Sequence, residues 1–165
     1  MIKLLKNGTV ITENEAIIAD MLIAGEKIVS IGKGLQVTPE TEVIDVSGKL
    51  ILPGGVDAHV HLDLPMFGTV SSDDHYTGTK AAAFGGTTTV IDFISQNTDD
   101  LETNFHKLKE KAESKAAIDF GFHANITHLT PEVEAQIPHL VDLGVTSVKV
   151  FTAYNNRLRL QDGEI

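Results

Sequence analysis

The order of apolar and polar positions changes near residue 50, and it predicts a different structure on each side. Before that point, short apolar and β-branched runs alternate with turn-forming residues, which is typical of strands in a small sheet. Asn7-Gly8 and Gly25 lie between such runs, so each is predicted to turn a β-hairpin. Residues 1–50 are therefore predicted to form a small antiparallel β subdomain.

After residue 50 the pattern alternates between strands and helices. The predicted strands are the runs "ILPGGVDAHVHL", "TTTVIDFI", "AIDFGFHANI" and "VTSVKVFTAY". A first helix is predicted in residues 72–86, where Gly85-Gly86 ends it, and a second over residues 98–115. A third helix begins with Thr130 as its cap and Pro131 as its first residue, and it ends at Gly144.

The second and third helices each carry an apolar face at helical spacing. The predicted buried positions are Leu101, Phe105, Leu108 and Ala112 in the second helix, and Val133, Ile137, Leu140 and Leu143 in the third. Three acidic residues at the start of the second helix interact favourably with the helix dipole: Asp99, Asp100 and Glu102. Pro138 predicts a kink in the third helix.

Four strand–helix steps in succession predict an α/β fold with a parallel sheet. Two arrangements fit, namely an open doubly wound sheet and part of a (β/α)8 barrel. No Gly-rich phosphate loop follows the first strand, which disfavours the nucleotide-binding form of the open sheet. A complete barrel needs about 250 residues, so these 165 residues supply about half of one. A self-contained four-stranded α/β domain is the alternative.

Composition and charge exclude several classes of partner. The formal net charge of −10 disfavours nucleic acid and anionic membranes, which carry the same sign of charge. The absence of cysteine excludes disulfides and thiolate metal sites and favours a reducing compartment, so we expect a cytoplasmic protein. The opening segment "MIKLLKNGTVITENEA" has no long apolar run, and we predict neither a signal peptide nor a membrane span.

The segment "DAHVHLD" places two histidines in an otherwise apolar predicted strand. His59 and His61 are two residues apart, so their side chains are expected on the same face of that strand. Active sites of barrels lie at the carboxyl ends of the strands. Imidazole suits zinc, manganese, iron or nickel, but two histidines make only part of a site. A hydrogen-bonded pair of histidines near a strand end is the alternative interpretation.

Lys149 is the second unusual residue, because it lies in the apolar run "SVKVF". Burying a protonated ammonium is costly, and buried lysines become nucleophilic amines. A neutral amine can add carbon dioxide to form a carbamate, which offers two oxygens and can bridge two metal ions. Alternatively, Lys149 reaches solvent at the strand end or pairs with a carboxylate.

Three motifs identify a family resemblance that runs along essentially the whole chain. They are "LPGGVDAHVHLDLP", "GTVSSDDHYTGTKAAAFGGTTTVIDF" and "GVTSVKVFTAY", and together they resemble the dihydropyrimidinase/hydantoinase family of cyclic amidohydrolases. Allantoinases and dihydroorotases share the two-histidine strand, but "GGTTTVIDF" and "LDLPMFGTVSSDDH" are more similar to the dihydropyrimidinase branch. Non-catalytic relatives in neuronal signalling lack the histidine pair, which is present here.

The resemblance implies a fold and a metal centre. Residues 1–50 would be the N-terminal part of a β-sandwich, and residues 51–165 the first four β/α units, the N-terminal half of a (β/α)8 TIM-type barrel. Family members bind two divalent metal ions, usually zinc. His59 and His61 match ligands of the first metal, and Lys149 matches the carboxylated lysine that bridges both.

The resemblance also implies roles around the substrate. Tyr154 matches the catalytic tyrosine that hydrogen-bonds the oxyanion formed when the ring amide is attacked. Met66, Phe151 and Leu158 match loop positions that surround the exocyclic group of the substrate and select its stereochemistry. The implied substrate is a small cyclic amide, and family members are commonly homotetramers.

Other ligands of the family's metal site are not matched within these 165 residues. Two further histidines, from strands five and six, and an aspartate from strand eight would lie beyond residue 165. The remaining histidines match none of them; surface or capping roles are expected for His75, His106 and His139, while His123 and His128 flank the end of the third strand. Asp92 and Asp119 lie in predicted strands, where we expect buried hydrogen bonds.

The predicted activity is metal-dependent hydrolysis of the ring amide of dihydropyrimidines or 5-substituted hydantoins by the parent enzyme. The 165-residue chain alone is expected to be inactive, to bind one metal ion or none, and to leave Lys149 unmodified. One alternative is a non-catalytic fragment that folds only through self-association or a partner. Another is a different cyclic amidohydrolase, such as an allantoinase.

Overall fold

The computed structural model describes residues 1–66, 68–96 and 100–165. The chain divides into two compact units, Met1–Pro53 and Gly54–Ile165. Within the described ranges, no helix is both long enough and apolar enough to cross a bilayer.

The first unit is a five-stranded mixed sheet. Its strands are β1 (Ile2–Ile11), β2 (Ala16–Ala24), β3 (Lys27–Gly32), β4 (Glu42–Asp45) and β5 (Leu50–Ile51). The order is β3-β2-β1-β4, with β5 also paired to β1. The first three strands pair antiparallel, as predicted, but β4 and β5 both run parallel to β1. The prediction of a purely antiparallel sheet was therefore wrong, because the chain after β3 returns to the free edge of β1 in the same direction.

Only one of the two predicted hairpin turns is observed. Asn7-Gly8 lies inside β1, where Asn7 has a φ of 64° and the register with β2 shifts. The side chain of Asp20 accepts the Asn7 backbone N–H at 3.0 Å, so this pair forms a bulge rather than a turn. The β1–β2 turn lies at residues 12–15 instead. Gly25, with a φ of 60°, does turn the β2–β3 hairpin as predicted.

The second unit alternates strands and helices, and the predicted α/β class is confirmed. Its elements are β6 (Gly55–Asp57), β7 (Pro65–Met66), β8 (Thr69–Val70), α1 (His75–Phe84), β9 (Thr87–Ser95), α2 (Leu101–Glu113), β10 (Asp119–Ile126), α3 (Pro131–Asp142) and β11 (Val148–Val150). The main sheet has the order β11-β10-β9-β6, with every pair parallel. The order of these four strands does not reverse, unlike that of a doubly wound sheet.

Local signals in the sequence locate the ends of the helices. Asp74 caps α1 and forms a capping box with Thr77, and Gly85 follows the last residue, as predicted. The side chain of Asp100 accepts the Thr103 N–H at 2.8 Å and caps α2. The predicted start of this helix, residues 98 and 99 with Asp99, lies outside the described residues.

The third helix and the core agree with most of the apolar pattern. The burial predicted for Leu143 was wrong, because this residue follows the last helical residue and is exposed. The hydroxyl of Thr130 accepts the Val133 N–H at 3.3 Å, and Pro131 is the first helical residue. Side chains from β9, α2, β10 and α3, together with two residues outside the helices and strands, form one buried cluster: Ile94, Leu101, Phe105, Ala112, Phe122, Ala124, Ile126, Val133, Leu140, Val145 and Leu160. Burying this surface fixes the two helices against the sheet.

The first and last strands of this sheet are shorter than predicted. In this sheet, only Gly55–Asp57 of the first predicted run and Val148–Val150 of the fourth are paired as strands, while Ile51 of the first run pairs with β1 as part of β5. All three residues of β6 are exposed, so the prediction of a buried strand was wrong there. Both strands are at an edge of the described sheet and have one neighbour each, which leaves fewer hydrogen bonds to hold an extended backbone.

Candidate active site

A cavity of about 520 Å³ lies at the carboxyl ends of the parallel strands. It is lined by residues that follow or end all four strands of the main sheet: His59, His61, Leu64, Pro65, Met66, Phe93, Ser95, Gln96, Asn125, Thr127, Lys149, Phe151, Tyr154, Arg157 and Leu158. All seven residues predicted for the site, from His59 to Leu158, are among them. Because parallel strands end at the same edge of a sheet, distant segments of the chain meet there.

The two histidines lie beyond the end of β6 rather than within a strand, so that part of the prediction was wrong. The carboxylate of Asp57 accepts the His59 backbone N–H at 3.1 Å, which turns the chain as the strand ends. The two imidazole rings are nevertheless close, with centroids 5.1 Å apart and planes at 82°. Both residues line the cavity.

The ring of Phe93 contacts both imidazole rings. Its ring centroid lies 4.7 Å from that of His59 and 4.9 Å from that of His61. His123 contacts the same phenyl ring at 5.2 Å. Phe93 itself is buried in β9. The rigid aromatic ring thus fixes the positions that both histidines can occupy.

Lys149, on β11, contacts the same Phe93 ring and is half-buried. Its Nζ lies 5.0 Å from the centroid of Phe93 and 4.8 Å from that of Phe151. None of the ion pairs among the described residues involves Lys149, so the alternative of a carboxylate partner is not observed there. Asn125 is its register partner on β10, and the Asn125 Oδ1 is buried with no hydrogen-bond partner in the described structure.

Burial lowers the pKa of His61 below its ordinary value. The positive charges of His59 and Lys149 lower the pKa further, and the carboxylate of Asp92 opposes them. The neutral imidazole is therefore favoured near pH 7. That is the form in which a histidine donates a lone pair to a metal.

A buried pair behind the histidines holds their backbone. Asp92 in β9 accepts the N–H of Leu62, the residue after His61, at 3.3 Å. Its Oδ2 lies 3.4 Å from the Nε2 of His75. Asp92 is therefore a buried hydrogen-bonding residue, as predicted. The surface or capping role predicted for His75 was wrong, because its side chain is 1% exposed and packs under the loop that carries the histidines.

The chain after His61 is held a second time by charges from α2. Asp63 has a left-handed backbone with a φ of 52°. Its carboxylate lies 3.4 Å from the Nζ of Lys111 and 3.9 Å from that of Lys115. Lys115 also donates to the α1 cap, Asp74, at 2.9 Å. This bridge ties the histidine loop to the start of α1 and the end of α2.

The turn after β11 presents the remaining predicted residues. Tyr154 has a φ of 68°, and its carbonyl accepts the N–H groups of Arg157 and Leu158 at 3.1 Å each. The Tyr154 ring contacts Phe151 with centroids 5.8 Å apart. The exposed Tyr154 and the half-buried Leu158 both line the cavity, as does Met66 of β7.

Comparison with known proteins shows the family. The model of the Amidohydrolase family matches residues 50–158, which include the histidine pair, Lys149 and the Tyr154 turn. This chain belongs to the amidohydrolase family.

The similarity extends to particular amidohydrolases. The D-hydantoinase of Geobacillus stearothermophilus is 45% identical over 167 residues, which cover 100% of this chain and 35% of that protein. Dihydropyrimidinase 1 of Caenorhabditis elegans is 37% identical and is covered to 34%. The crystal structure of dihydropyrimidinase from Brevibacillus agri NCHU1002 matches with a TM-score of 0.93 and 46% identity over 99% of this chain and 36% of that one. The chain thus spans about a third of its relatives' length, and the predicted resemblance is confirmed.

Three side chains that could contribute to a metal site lie at one cavity of this amidohydrolase chain. The two imidazoles and Lys149 converge on one cavity, which fits two nitrogen ligands and a bridging oxygen donor if the lysine is carboxylated. Within the described ranges, no three His, Cys, Asp or Glu side chains come close enough together to hold a metal ion. The donors present therefore fit a site that requires further ligands.

The other histidines of this amidohydrolase have structural positions. His123 links two strand ends, since its Nδ1 lies 2.5 Å from the Ser147 hydroxyl and its Nε2 lies 3.1 Å from the Ala58 carbonyl. His106 is exposed and lies 3.6 Å from Glu102 one helical turn away, which agrees with the predicted surface role. Asp119 is exposed at the start of β10, so the buried hydrogen bond predicted for it was wrong.

Phe93 and Asn125 are two of the cavity residues that the sequence did not single out. The signal that identifies them is alternation along the strand. Ile94 belongs to the core under the helices, so its neighbour Phe93 must face the other side of the sheet. Asn125 follows the same rule between the core residues Ala124 and Ile126.

Proposed function

We propose that this chain contributes the histidine half of the active site of a cyclic amide hydrolase, which opens the ring of dihydropyrimidines or 5-substituted hydantoins. The observation that carries the proposal is the convergence of all seven predicted residues on one cavity. The D-hydantoinase and dihydropyrimidinase relatives support the substrate class. A cytoplasmic location and a homotetramer stay predictions.

The architecture proposed for this activity is a (β/α)8 barrel. The four parallel strands in chain order support the first four β/α units of such a barrel, and active sites of barrels lie at the carboxyl ends of the strands. Residues 1–50 would then be the N-terminal part of a β-sandwich. The remaining strands would supply the missing ligands and cover the free edges of β6 and β11.

The seven predicted residues have proposed tasks in the hydrolysis. His59 and His61 would hold a metal ion through neutral imidazole nitrogens, and Lys149, as a carbamate, would supply oxygen ligands. When bound, two divalent ions polarise the carbonyl and make a water molecule acidic near neutral pH.

The phenol of Tyr154 is the group of this chain that is proposed to stabilise the transition state. When the ring amide is attacked, negative charge develops on its carbonyl oxygen, and the phenol donates a hydrogen bond to that oxygen. Hydrolysis forms the new C–O bond, breaks the ring C–N bond and transfers a proton from water to the departing nitrogen. Met66, Phe151 and Leu158 enclose the exocyclic group, which fixes the face of the ring that is presented.

The test uses the protein translated from the complete reading frame that contains these residues. Ring opening of dihydrouracil, hydantoin and allantoin is followed by chromatography of the ureido products, and bound metal is measured by mass spectrometry. We expect Tyr154→Phe to lower kcat by about 10²–10³ and His61→Ala to lower the metal content.

Two control variants match these changes outside the cavity. Tyr76, the chain's other tyrosine, lies exposed on α1, and His106 lies exposed on α2. Tyr76→Phe and His106→Ala are expected to leave activity and metal content unchanged. Opening of none of the three rings, or equal activity of both tyrosine variants, contradicts the proposal. Opening of allantoin alone indicates an allantoinase instead. The 165-residue chain by itself is expected to be inactive, and turnover by a chain of confirmed mass overturns that expectation.

A further inference from the structure

The turn after β11 contains both arginines of the chain, and the two differ in their surroundings. Arg159 is engaged by its own turn, since its Nη1 donates to Asn155 at 2.9 Å and its Nη2 lies 3.7 Å from Asp162. Arg157 lines the cavity instead. It forms no ion pair with any described residue. A permanently charged, solvent-exposed side chain thus borders the cavity without an ion-pair partner among the described residues.

Arg157 is the lining side chain whose positive charge does not depend on the state of Lys149. Lys149 loses its positive charge if it is carboxylated as proposed above, whereas a guanidinium stays protonated. The sequence has 23 acidic residues and a net charge of −10, yet no Asp or Glu is among the described residues that line the cavity. The position of Arg157 therefore favours an anionic group of a ligand.

The position of Arg157 indicates which part of a ligand it meets. Its backbone N–H donates to the carbonyl of Tyr154, whose phenol is proposed to face the reacting carbonyl. Its other neighbour, Leu158, is proposed to contact the exocyclic group. Arg157 therefore lies in the chain between the residue proposed to meet the reacting carbonyl of the substrate and the residue proposed to meet its exocyclic group.

We propose that Arg157 binds an anionic exocyclic substituent, so that the preferred substrates are ring amides carrying a carboxylate. This inference rests on the proposed function for the ring, and it adds the chemical class of the side group. A guanidinium and a carboxylate form two parallel charge-assisted hydrogen bonds, which a lysine cannot reproduce.

Binding experiments on the 165-residue chain test the charge preference directly. The probes are 5-carboxymethylhydantoin, its neutral carboxamide and succinate, titrated separately and followed by chemical-shift changes in NMR spectra. The anion is expected to bind about fivefold to tenfold more tightly than the amide, as for a charge-assisted contact of about 1 kcal/mol at a solvent-accessible site. Raising the salt concentration is expected to reduce this ratio.

Three variants separate the role of Arg157 from general electrostatics. Arg157→Gln is expected to bring the ratio of the two affinities close to one, and Arg157→Lys is expected to retain part of it. Arg159→Gln removes the same charge two residues away and is expected to keep the full ratio.

Several results overturn the inference. They are an unchanged ratio in Arg157→Gln, an equal loss in Arg159→Gln, succinate binding as tightly as the ring carboxylate, and no binding of either ring. Ring opening is a separate measurement on the protein from the complete reading frame. A charge preference without ring opening contradicts the proposed function alone, whereas ring opening without a preference contradicts this inference alone.

Discussion

Removing the carboxylate of Asp92 is expected to destabilise the second unit more than any ordinary surface change. Asp92 is 3% exposed and is shared between two partners, the N–H of Leu62 and the ring of His75. Asp92→Ala removes both contacts at once. It leaves a buried imidazole, 1% exposed, with no carboxylate beside it.

The size of the effect follows from these two contacts. A buried donor left without an acceptor costs about 1–3 kcal/mol, and Asp92→Ala leaves the Leu62 N–H in that state. The Nε2 of His75 lies 3.4 Å from Oδ2 of Asp92, but neither ring nitrogen has a hydrogen-bond partner among the described residues, so this contact adds no separate amount. For a chain of this length, 1 kcal/mol shifts the Tm by about 2–4 °C, so a loss of about 1–3 kcal/mol should lower the Tm by about 2–12 °C. Asp92→Asn keeps an acceptor for the Leu62 N–H and is expected to cost less.

Urea unfolding measures this loss. The chain has no tryptophan, and its tyrosines, Tyr76 and Tyr154, both lie in the second unit, so tyrosine fluorescence reports on that unit. Asp119→Ala is the matched control, because Asp119 starts the neighbouring strand but is exposed. The control is expected to change the free energy of unfolding by less than about 0.5 kcal/mol. If Asp92→Ala costs no more than this control, the buried network does not hold the histidine loop.

Two further changes test the packing and the charges around the site. Gly54→Ala would place a Cβ against the side chain of Thr88, so we expect a loss of about 1–3 kcal/mol in urea unfolding; Gly121→Ala, where nothing lies within 4 Å, should not show it. Hydrogen bonds from the α1 backbone and from Lys115 lower the pKa of Asp74 from 3.8. The stabilisation from its ionised form is fully present above that value and is lost as the pH falls from there through the lowered pKa, so the Tm advantage over Asp74→Asn should shrink steadily as the pH falls from about 5 to 2. A constant difference across that range would contradict this account.

The helices were predictable because their signals are local. Thr130 and Pro131 mark the start of α3, and Gly85 follows the end of α1, as the sequence indicates. The apolar spacing of α2 identified Leu101 and Phe105, which are both buried. Each signal acts within one or two turns of the chain, so no knowledge of distant segments is needed.

Features that depend on distant partners were mispredicted. Asn7-Gly8 carries a strong hairpin signal, but the carboxylate of Asp20 captures the Asn7 N–H and makes a bulge. His75 is the first residue of a helix, where polar side chains are ordinarily exposed. Its burial results from Asp92, a residue on the next strand, and no spacing rule connects the two.

The alternation of side chains along the parallel strands explains how the cavity acquires its residues. On β9 and β10, Ile94, Ala124 and Ile126 pack under the helices, so Phe93, Ser95, Asn125 and Thr127 face the cavity. On β11, Val150 packs against the core, and Lys149 and Phe151 face the cavity. The apolar positions that fix the register of the sheet thereby also decide which residues meet the two histidines. A one-residue slip of β11 would bury Lys149 under the helices and present Val150 to the cavity, so the hydrophobic core itself specifies the chemistry of this edge.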